Sequence, residues 1–595
     1  MERKVYKKKQ QKQQKFEHFE EQKEIQNDWG KLEQVWKQKE QPRVIYNTEQ
    51  DLLIVEENEQ QVDSSNIKMS RIILWFRNDL RLHDNPIINY AIKHPAKNKQ
   101  VIPVYCFDPR FHGRKVKEFG TSKCGLVRQR FLMESIENFR HNLEKIGSKL
   151  LVSNDKPEDF IKNLIDKDCE NIVVYQKEIC SEEENVEKNL EKSVADAKFQ
   201  KFWGSSVYHV QDLNFKINQL PRVYTSFREA TSDVNVRPLF PDPKKDQLPF
   251  VLNPNAAIVE ASVYMPKLED FGFTQEQISK GKDQRSVIEF IGGEDAALKR
   301  FKEYVYETNA VSHYADTRNE LLGALGSSRF SPWMAVGSIS PRYIYHKVKE
   351  YEAKNPLYQK STKKLIDEVF WRDWCRFWAL KYGNKIFGVY GYDFERGSSM
   401  YKWDTNPAII KRWREGTTGM PLIDAFMREM NSSGFMSNRG RQIVASYLVL
   451  DLNQDWRFGA YHFEDKLIDH DVQSNYASWN FAGGIGPSKV LRFNVLKQSR
   501  DHDKDGEFIK LWVPELRNVP TEYIHEPWTM PKNAQEQFGV IIGETYPKPI
   551  QCAKYTQQGS ADYQSKPNYQ NHRQVFTASS DGSHREKKFY QKKNP

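Results

Sequence analysis

The sequence predicts an α/β domain built on a doubly wound parallel sheet, joined by a long linker to an all-α domain, with a disordered extension at each end. Three observations carry this. Short apolar runs alternate with amphipathic segments from Ser70 to about residue 205, prolines crowd the stretch 211–290, and after Gly292 and Gly293 the apolar period turns helical and stays so to about Asn518. The expected boundaries are 1–69, 70–205, 206–290, 291–545 and 546–595.

The N-terminal extension is Lys, Gln and Glu in the main; Phe16 to Glu40 suits a solvated helix anchored by Trp29 and Trp36. Its basic run suits a plain solvated tail or a nuclear address. Charge is concentrated at the ends: residues 1–15 carry +6 and 551–595 carry +5, against +10 for the whole chain. The stretch between is near neutral, so the basic balance alone does not make the folded body a nucleic-acid binder. No apolar run reaches the roughly 18 residues that span a bilayer, and the first residues lack an apolar signal core. A soluble, non-secreted, monomeric chain is expected, in nucleus or cytoplasm, with an organelle also compatible. Six scattered cysteines form no C-x-x-C, so neither a disulfide framework nor a metal site is expected.

In the α/β part the expected strands are Arg71 to Phe76, Val101 to Phe107, Lys149 to Ser153, Asn171 to Tyr175 and Ser205 to Val210. Between them, Val127 to Leu143 places Phe131, Ile136 and Phe139 among charges at near-helical spacing. No G-x-G-x-x-G follows the first strand, which argues against an ordinary dinucleotide site there. Seven prolines in 211–290 exclude long helices and mark a wrapping linker. In the helical part, prolines and glycines gather at junctions such as Ser331-Pro332, Ser340-Pro341 and Gly419-Met420-Pro421, and ten of the 14 tryptophans lie there.

Three segments concentrate chemistry. Trp371, Trp374 and Trp378 fall at i, i+3, i+7, with Glu368, Arg372 and Arg376 beside them. That stripe suits a packed aromatic core, or a wall on which a flat ring stacks with guanidinium groups holding phosphates or carboxylates. Asn438, Arg441 and Gln442 gather donors and acceptors around the small Gly440. Asp469, Asp471 and Asn475, ahead of Trp479 and Phe481, would suit the amide edge of a heterocycle, or merely start a helix, since Asp is a common N-cap.

Taken together and in order, Trp75-Phe-Arg77-Asn-Asp79-Leu-Arg81-Leu-His83-Asp84-Asn85, Ser331-Pro-Trp333 with Ser340-Pro-Arg342, Trp371-Arg372-Asp373, Thr418-Gly-Met-Pro421-Leu-Ile-Asp424-Ala425, Asn438-Arg-Gly-Arg441-Gln442 and Asn475 before Trp479 resemble the photolyase and cryptochrome family. The likeness is closest to the DASH branch of cryptochromes and covers about 70–518. It implies the same two-domain architecture, with FAD held in the helical domain.

The resemblance also implies roles. Tyr314, Ser327, Ser328, Phe330 (through its backbone N–H) and Ser331 match the residues at the FAD phosphates, where helix-start donors suit an anion. Arg372, Asn438, Arg441, Asp469, Asp471 and Asn475 match flavin-contacting positions. Asn475 should face the reactive N5 edge; repair enzymes and the DASH branch carry Asn there, plant cryptochromes Asp and animal ones Cys. Trp479, Trp456 and Trp403 match an electron-relay chain from flavin to surface. Glu368 and Trp371 match groups that bind damaged bases, while Gln442 stands where double-strand photolyases have Met, and Phe481 where they have Trp and the DASH branch usually Tyr. Leu365 replaces a family Trp beside the cofactor. Glu178 resembles an antenna-binding acid, the antenna being 5,10-methenyltetrahydrofolate in many members, or is an ordinary surface carboxylate.

The implied function is blue-light-driven, FAD-dependent repair of cyclobutane pyrimidine dimers by electron transfer from photoexcited reduced flavin, a carbon–carbon lyase reaction. With one pocket wall altered, the cost of flipping a dimer out of duplex DNA points to single-stranded DNA as preferred substrate. The alternative is a blue-light photoreceptor whose flavin photoreduction is read out through the long terminal extensions; a third reading is a light-independent nucleic-acid binder.

Overall fold

The computed structural model describes residues 69–550 apart from 252–253, 394–396, 399–400 and 487–490. The expectations for residues 1–68, including the helix over Phe16 to Glu40, and for the tail beyond Ile550 lie outside the described residues.

Five strands, β1 (Ser70–Phe76), β2 (Lys99–Cys106), β3 (Leu151–Ser153), β4 (Glu170–Gln176) and β5 (Lys198–Phe202), form one parallel sheet in the order β3-β2-β1-β4-β5. Central β1 pairs on both sides, Ile72 lying opposite Val101 and Ile172, and all seven of its residues are buried. A near-continuous apolar run is what a strand covered on both faces requires. The crossover helices are α1 (Pro86–Lys93), α2 (Leu126–Lys145), α3 (Pro157–Lys162) and α4 (Ser181–Ser193). The periodic stretch expected to be helical lies within α2, which buries Phe131, Ile136 and Phe139; the Phe139 ring meets Phe76 edge-on at 4.7 Å.

The fifth strand is where pattern reading erred. Ser205 to Val210 is not a strand: the backbone N–H groups of Val207 and Tyr208 donate to the Asp373 carboxylate at 2.9–3.0 Å. Its apolar side chains are buried, with the Tyr208 ring stacked on Phe370 at 4.7 Å. The true strand, Lys-Phe-Gln-Lys-Phe at 198–202, is a charged sheet edge, as an edge that must not recruit another strand tends to be.

Short helices Tyr224–Ala230 and Ala256–Val263 punctuate the proline-rich stretch. The helical domain is organised by α5 (Pro341–Lys354), α6 (Gln359–Tyr382), α7 (Pro407–Glu415), α8 (Pro421–Ser433), α9 (Asn438–Ser446), α10 (Trp456–Lys466) and α11 (Val472–Ala482). Proline occupies the first turn of α5, α7 and α8, where a missing N–H costs nothing. None of the described helices is long and apolar enough to cross a membrane.

Buried polar side chains tie the two domains together. His83 and Asp84, just after β1, reach the other domain: His83 Nδ1 pairs with Glu294, its Nε2 accepts from Ser340 N–H at 3.1 Å, and Asp84 pairs with Arg342. Lys123 spans the seam to Glu464 at 2.8 Å.

Candidate functional site

The strand order sets where a ligand can sit. The chain leaves β1 toward β2 on one side, while β4 lies on the other, so a crevice opens beyond the carboxyl ends of these strands. A cleft fills that position, with a cavity volume of about 150 Å³, several times what one water needs. Trp75 and Arg77 from the end of β1, Glu183 from α4, and Arg376, Glu464 and His470 from the helical domain are among its lining residues.

Helix α6 divides its work by face. Arg372 and Arg376, one turn apart, face the α/β domain. Arg376 Nη1 lies 3.0 Å from Glu178 Oε2 and its Nη2 donates to the Lys177 carbonyl at 2.9 Å. Glu178 is therefore only 4% exposed, a buried ion-pair partner at the cleft and not a surface carboxylate. Arg372 donates to the Ser205 carbonyl and pairs with Asp471 at 2.9 Å. Burial alone would raise the Asp471 carboxyl, but Arg372 and the Ser474 hydrogen bond hold it below the usual carboxylate range. Asp471 is at the same time the N-cap of α11, accepting from Ser474 N–H at 2.8 Å, so the capping reading and the site reading are both true of it.

On the other face, Trp374 and Trp378 are fully buried and Trp371 half-buried. Phe481 of α11 meets all three: Trp374 stacked at 5.3 Å, Trp371 at 5.7 Å and Trp378 at 6.0 Å. Glu368, one turn before Arg372, is held by Arg318 and lies 3.4 Å from Lys364. Gln442 on α9 accepts from Arg439 at 3.2 Å, while Asn438 is exposed at the start of the same helix.

A second cluster forms around Asp469. Ser331 Oγ and Arg441 Nη2 each lie 2.7 Å from Asp469 Oδ2, and Oδ1 is buried without a partner. Ser331 opens the helix Ser331–Ala335, with Phe330 as its N-cap. The carbonyls of Ser327 and Ser328 both accept from Arg300 at 3.1 Å, which pins the loop. Tyr314 is buried, which pushes its hydroxyl well above the usual range. Between these serines the sequence reading passed over Arg329: it is 4% exposed, sits at φ +60°, and leaves Nε and Nη2 without partners. Leu365 is fully buried, a small apolar filler on α6.

Asn475 follows Asp471 by one turn on α11, its Nδ2 donating to the Ala460 carbonyl of α10 at 3.0 Å. One turn on, Trp479 is 2% exposed and lies against Gly459 of α10, where a Cβ would come within 2.1 Å of the indole. Trp456 is fully buried at the start of α10. Trp403 is partly exposed and stacks on Tyr401 at 4.9 Å. The Asp404–Gln454 bridge brings Trp403 to the start of α10, close along the chain to Trp456. The structure thus gathers the three tryptophans, separated in sequence, into one region that passes from interior to surface.

Arg376, Lys123, Glu183, Glu464 and His470 were also missed as cleft residues. They come from both domains with no common spacing, and only Arg376 and His470 fell inside segments the sequence singled out.

A parallel-sheet domain clasped to a helical domain, with a cleft at the strand switch and a buried acid–arginine cluster beside tryptophans, defines a photolyase-type flavoprotein. Residues 365–564 match the FAD-binding domain of DNA photolyase, and residues 72–244 match the DNA photolyase domain. The chain is 42% identical to cryptochrome DASH of Danio rerio over 80% of its own length and 90% of that protein. It aligns with the crystal structure of Synechocystis sp. PCC6803 cryptochrome at 39% identity, covering 81% of this chain and 96% of that one, with a TM-score of 0.73. A class III photolyase from Agrobacterium tumefaciens aligns at 28% identity, over 82% and 95% of the two chains, with a TM-score of 0.68. The chain belongs to the photolyase and cryptochrome family, and its cofactor is FAD.

The residues present fit that cofactor. Asp469 Oδ1 offers an unclaimed buried acceptor, and Arg329 offers unclaimed buried donors on the Ser327–Ser331 loop. A molecule with a ring imide N–H and an anionic diphosphate would satisfy both kinds of atom, which otherwise stay unpaired at a cost of about 1–3 kcal/mol each.

Proposed function

We propose that this chain is a blue-light-driven enzyme that splits cyclobutane pyrimidine dimers in DNA, with single-stranded DNA as its preferred substrate. The observation that carries the proposal is the aromatic wall of Phe481, Trp371 and Trp374 one helical turn from Glu368 and beside the Arg372–Asp471 pair. When bound, reduced FAD supplies the light-excited electron that opens the dimer.

The protein's part is placement. Trp371 and Phe481 stack on the flipped-out bases, and Glu368, released from Arg318, hydrogen-bonds their edge with Gln442 opposite. Asp469 would accept from the cofactor's ring imide N–H while Arg441 neutralises the carboxylate. Arg372, Asp471, Asn438 and Asn475 would orient the flavin edge, and Tyr314, Ser327, Ser328, Phe330 and Ser331, joined by Arg329, would hold the phosphates. Trp479, Trp456 and Trp403 would pass electrons inward from the surface to oxidised flavin, converting it to the reduced form. Phe481 lacks both the breadth of Trp and the polar tip of Tyr, which supports the single-strand preference, since stacking must otherwise offset the unstacking of a duplex. The cleft at the strand switch suits a methenyl-folate antenna.

The test uses purified chain, photoreduced under blue light and incubated with dimer-containing single-stranded and duplex oligonucleotides in light and darkness. Light-dependent dimer loss, greater on the single strand, is the expected result. Bound flavin that photoreduces while both substrates stay intact would favour the photoreceptor reading instead.

A further inference from the structure

We propose that Tyr392 is a stacking platform for an unpaired base that flanks the dimer, so that the site grips a longer stretch of single strand than the dimer alone. The proposal rests on the dimer reading above and adds to it a residue and a length of substrate.

The aromatic stripe of α6 does not stop at the wall that Phe481 completes. Trp378, which meets Phe481 at 6.0 Å, also meets Tyr382 at 5.3 Å and Tyr392 at 5.8 Å, and the two tyrosine rings lie 4.5 Å apart. Trp371, Trp378 and Tyr382 fall at i, i+7 and i+11 and so share a face of the helix. Trp378 is fully buried, whereas both tyrosines are partly exposed. A run of touching rings thus leads from the interior wall back to solvent, roughly 16 Å along the helix axis from Trp371.

Tyr392 is held firmly, as a platform must be. It sits on the loop after α6, and three contacts fix that loop to α10 and α11. Asn480 Nδ2 donates to the Ile386 carbonyl at 2.9 Å, and Trp456 Nε1 donates to the Val389 carbonyl at 2.9 Å. Gly391, at φ +69°, lies so close to Asn480 that a Cβ would come within 2.6 Å of its Oδ1. Asn480 is the neighbour of Phe481, so the platform and the dimer wall are anchored to the same helix turn. Cations stand beside the rings: exposed Arg222 donates to the Tyr392 hydroxyl at 3.0 Å, and the Lys381 ammonium lies 5.4 Å from the Tyr382 ring centre.

These are the two parts of a single-strand groove. A π-face accepts any base, and the cations draw the phosphates next to it. Distance then selects the form of DNA. Neighbouring bases in a duplex are stacked about 3.4 Å apart, so a base that reaches the platform while the dimer lies against Trp371 has left the helix. In a single strand that base is already free, whereas in a duplex each further base taken from the stack adds its own unstacking cost. The platform therefore favours the single strand by a route independent of Phe481.

The experiment uses full-length FAD-loaded protein in darkness and three ligands: the dimer dinucleotide, a single-stranded nonamer with a central dimer, and the same nonamer with abasic flanks, which keep the phosphates and lose the bases. Dissociation constants are read by fluorescence anisotropy of end-labelled nonamer, directly or by competition. The wild type is expected to bind the complete nonamer roughly tenfold tighter than its abasic counterpart. Tyr392→Ala is expected to erase that gap at unchanged dinucleotide affinity and FAD content, and Tyr392→Phe to keep it, because stacking uses the ring and not the hydroxyl. Should the alanine variant fail to retain FAD, Tyr392→Leu, which fills the space without a π-face, reads the same loss. Equal binding of the two nonamers by the wild type, or a full gap in the variant without the ring, overturns this proposal alone. Failure of the wild type to bind any of the three ligands overturns the dimer reading together with it.

Discussion

Arg441 Nη2 lies 2.7 Å from Asp469 Oδ2, and this contact between α9 and the turn before α11 decides which carboxylate oxygen is left over. Ser331 claims the same oxygen, so Oδ1 is the atom that remains free in a buried place. The pair sets an acceptor in position before any ligand arrives.

Removing Arg441 should therefore strip the flavin. Arg441→Ala leaves Asp469 buried with only Ser331 to hold it, and is expected to lower stability by about 1–3 kcal/mol and to release FAD. The ratio of flavin absorbance to protein after native purification reads it, with Arg441→Lys intermediate because one ammonium cannot copy the fork of a guanidinium.

Phe481 should govern dimer binding more than chemistry. Phe481→Ala opens the wall shared with Trp371 and Trp374, and stacking worth about 1–3 kcal/mol per base predicts a KM for single-stranded dimer substrate raised roughly tenfold. FAD content should be unchanged, which separates this effect from a lost cofactor.

Trp403 should limit photoreduction without holding the fold. It is partly exposed and stacked on Tyr401, so Trp403→Phe is expected to keep the thermal midpoint and FAD content while slowing flavin photoreduction severalfold under external reductant. Equal photoreduction rates for wild type and variant would remove Trp403 from the relay.

Gly459 should be intolerant of any side chain. A Cβ there would lie 2.1 Å from the Trp479 ring, and overpacking predicts a loss of about 1–3 kcal/mol for Gly459→Ala. In the Gly459→Ala, Trp479→Phe double variant the smaller ring relieves the clash, so the two losses should be less than additive in thermal unfolding.

Glu429 should tilt the pH dependence of stability. Burial pushes its carboxyl up to about 8, against the lowering influence of Arg329 and Arg441, from an ordinary 4.5. Between these values the folded chain holds a proton that the unfolded chain has lost, so this group's contribution is complete below about pH 4.5 and disappears as pH rises through 8. Glu429→Gln cannot titrate. The thermal midpoint of wild type relative to the variant is thus expected to fall steadily from pH 4.5 to 8; a constant difference would show that Glu429 is charged throughout.

The sequence by itself determined the architecture and put forward most members of the acid–arginine cluster. Short apolar runs and a 3.6-residue period are local features of the chain, so β1, β4, α2 and the tryptophan stripe of α6 were legible from residue order alone. The family resemblance of the ordered motifs put forward Arg372, Arg441, Asp469, Asp471 and Asn475, which no spacing relates, since Arg441 and Asp469 meet across 28 residues and Arg372 and Asp471 across 99. Tertiary structure decided the rest. Ser205 to Val210 has a strand's composition, but Asp373, more than 160 residues away, takes the N–H groups that a sheet would have used. Glu178 reads as a surface acid until Arg376 arrives from the other domain, and nothing local marks Arg329, whose Nε and Nη2 are buried without partners in the folded chain. His470 is one letter between two aspartates until the domains close a cleft over it. Hydrogen-bond partnership and desolvation depend on which distant groups come within about 3 Å, and no local periodicity encodes that.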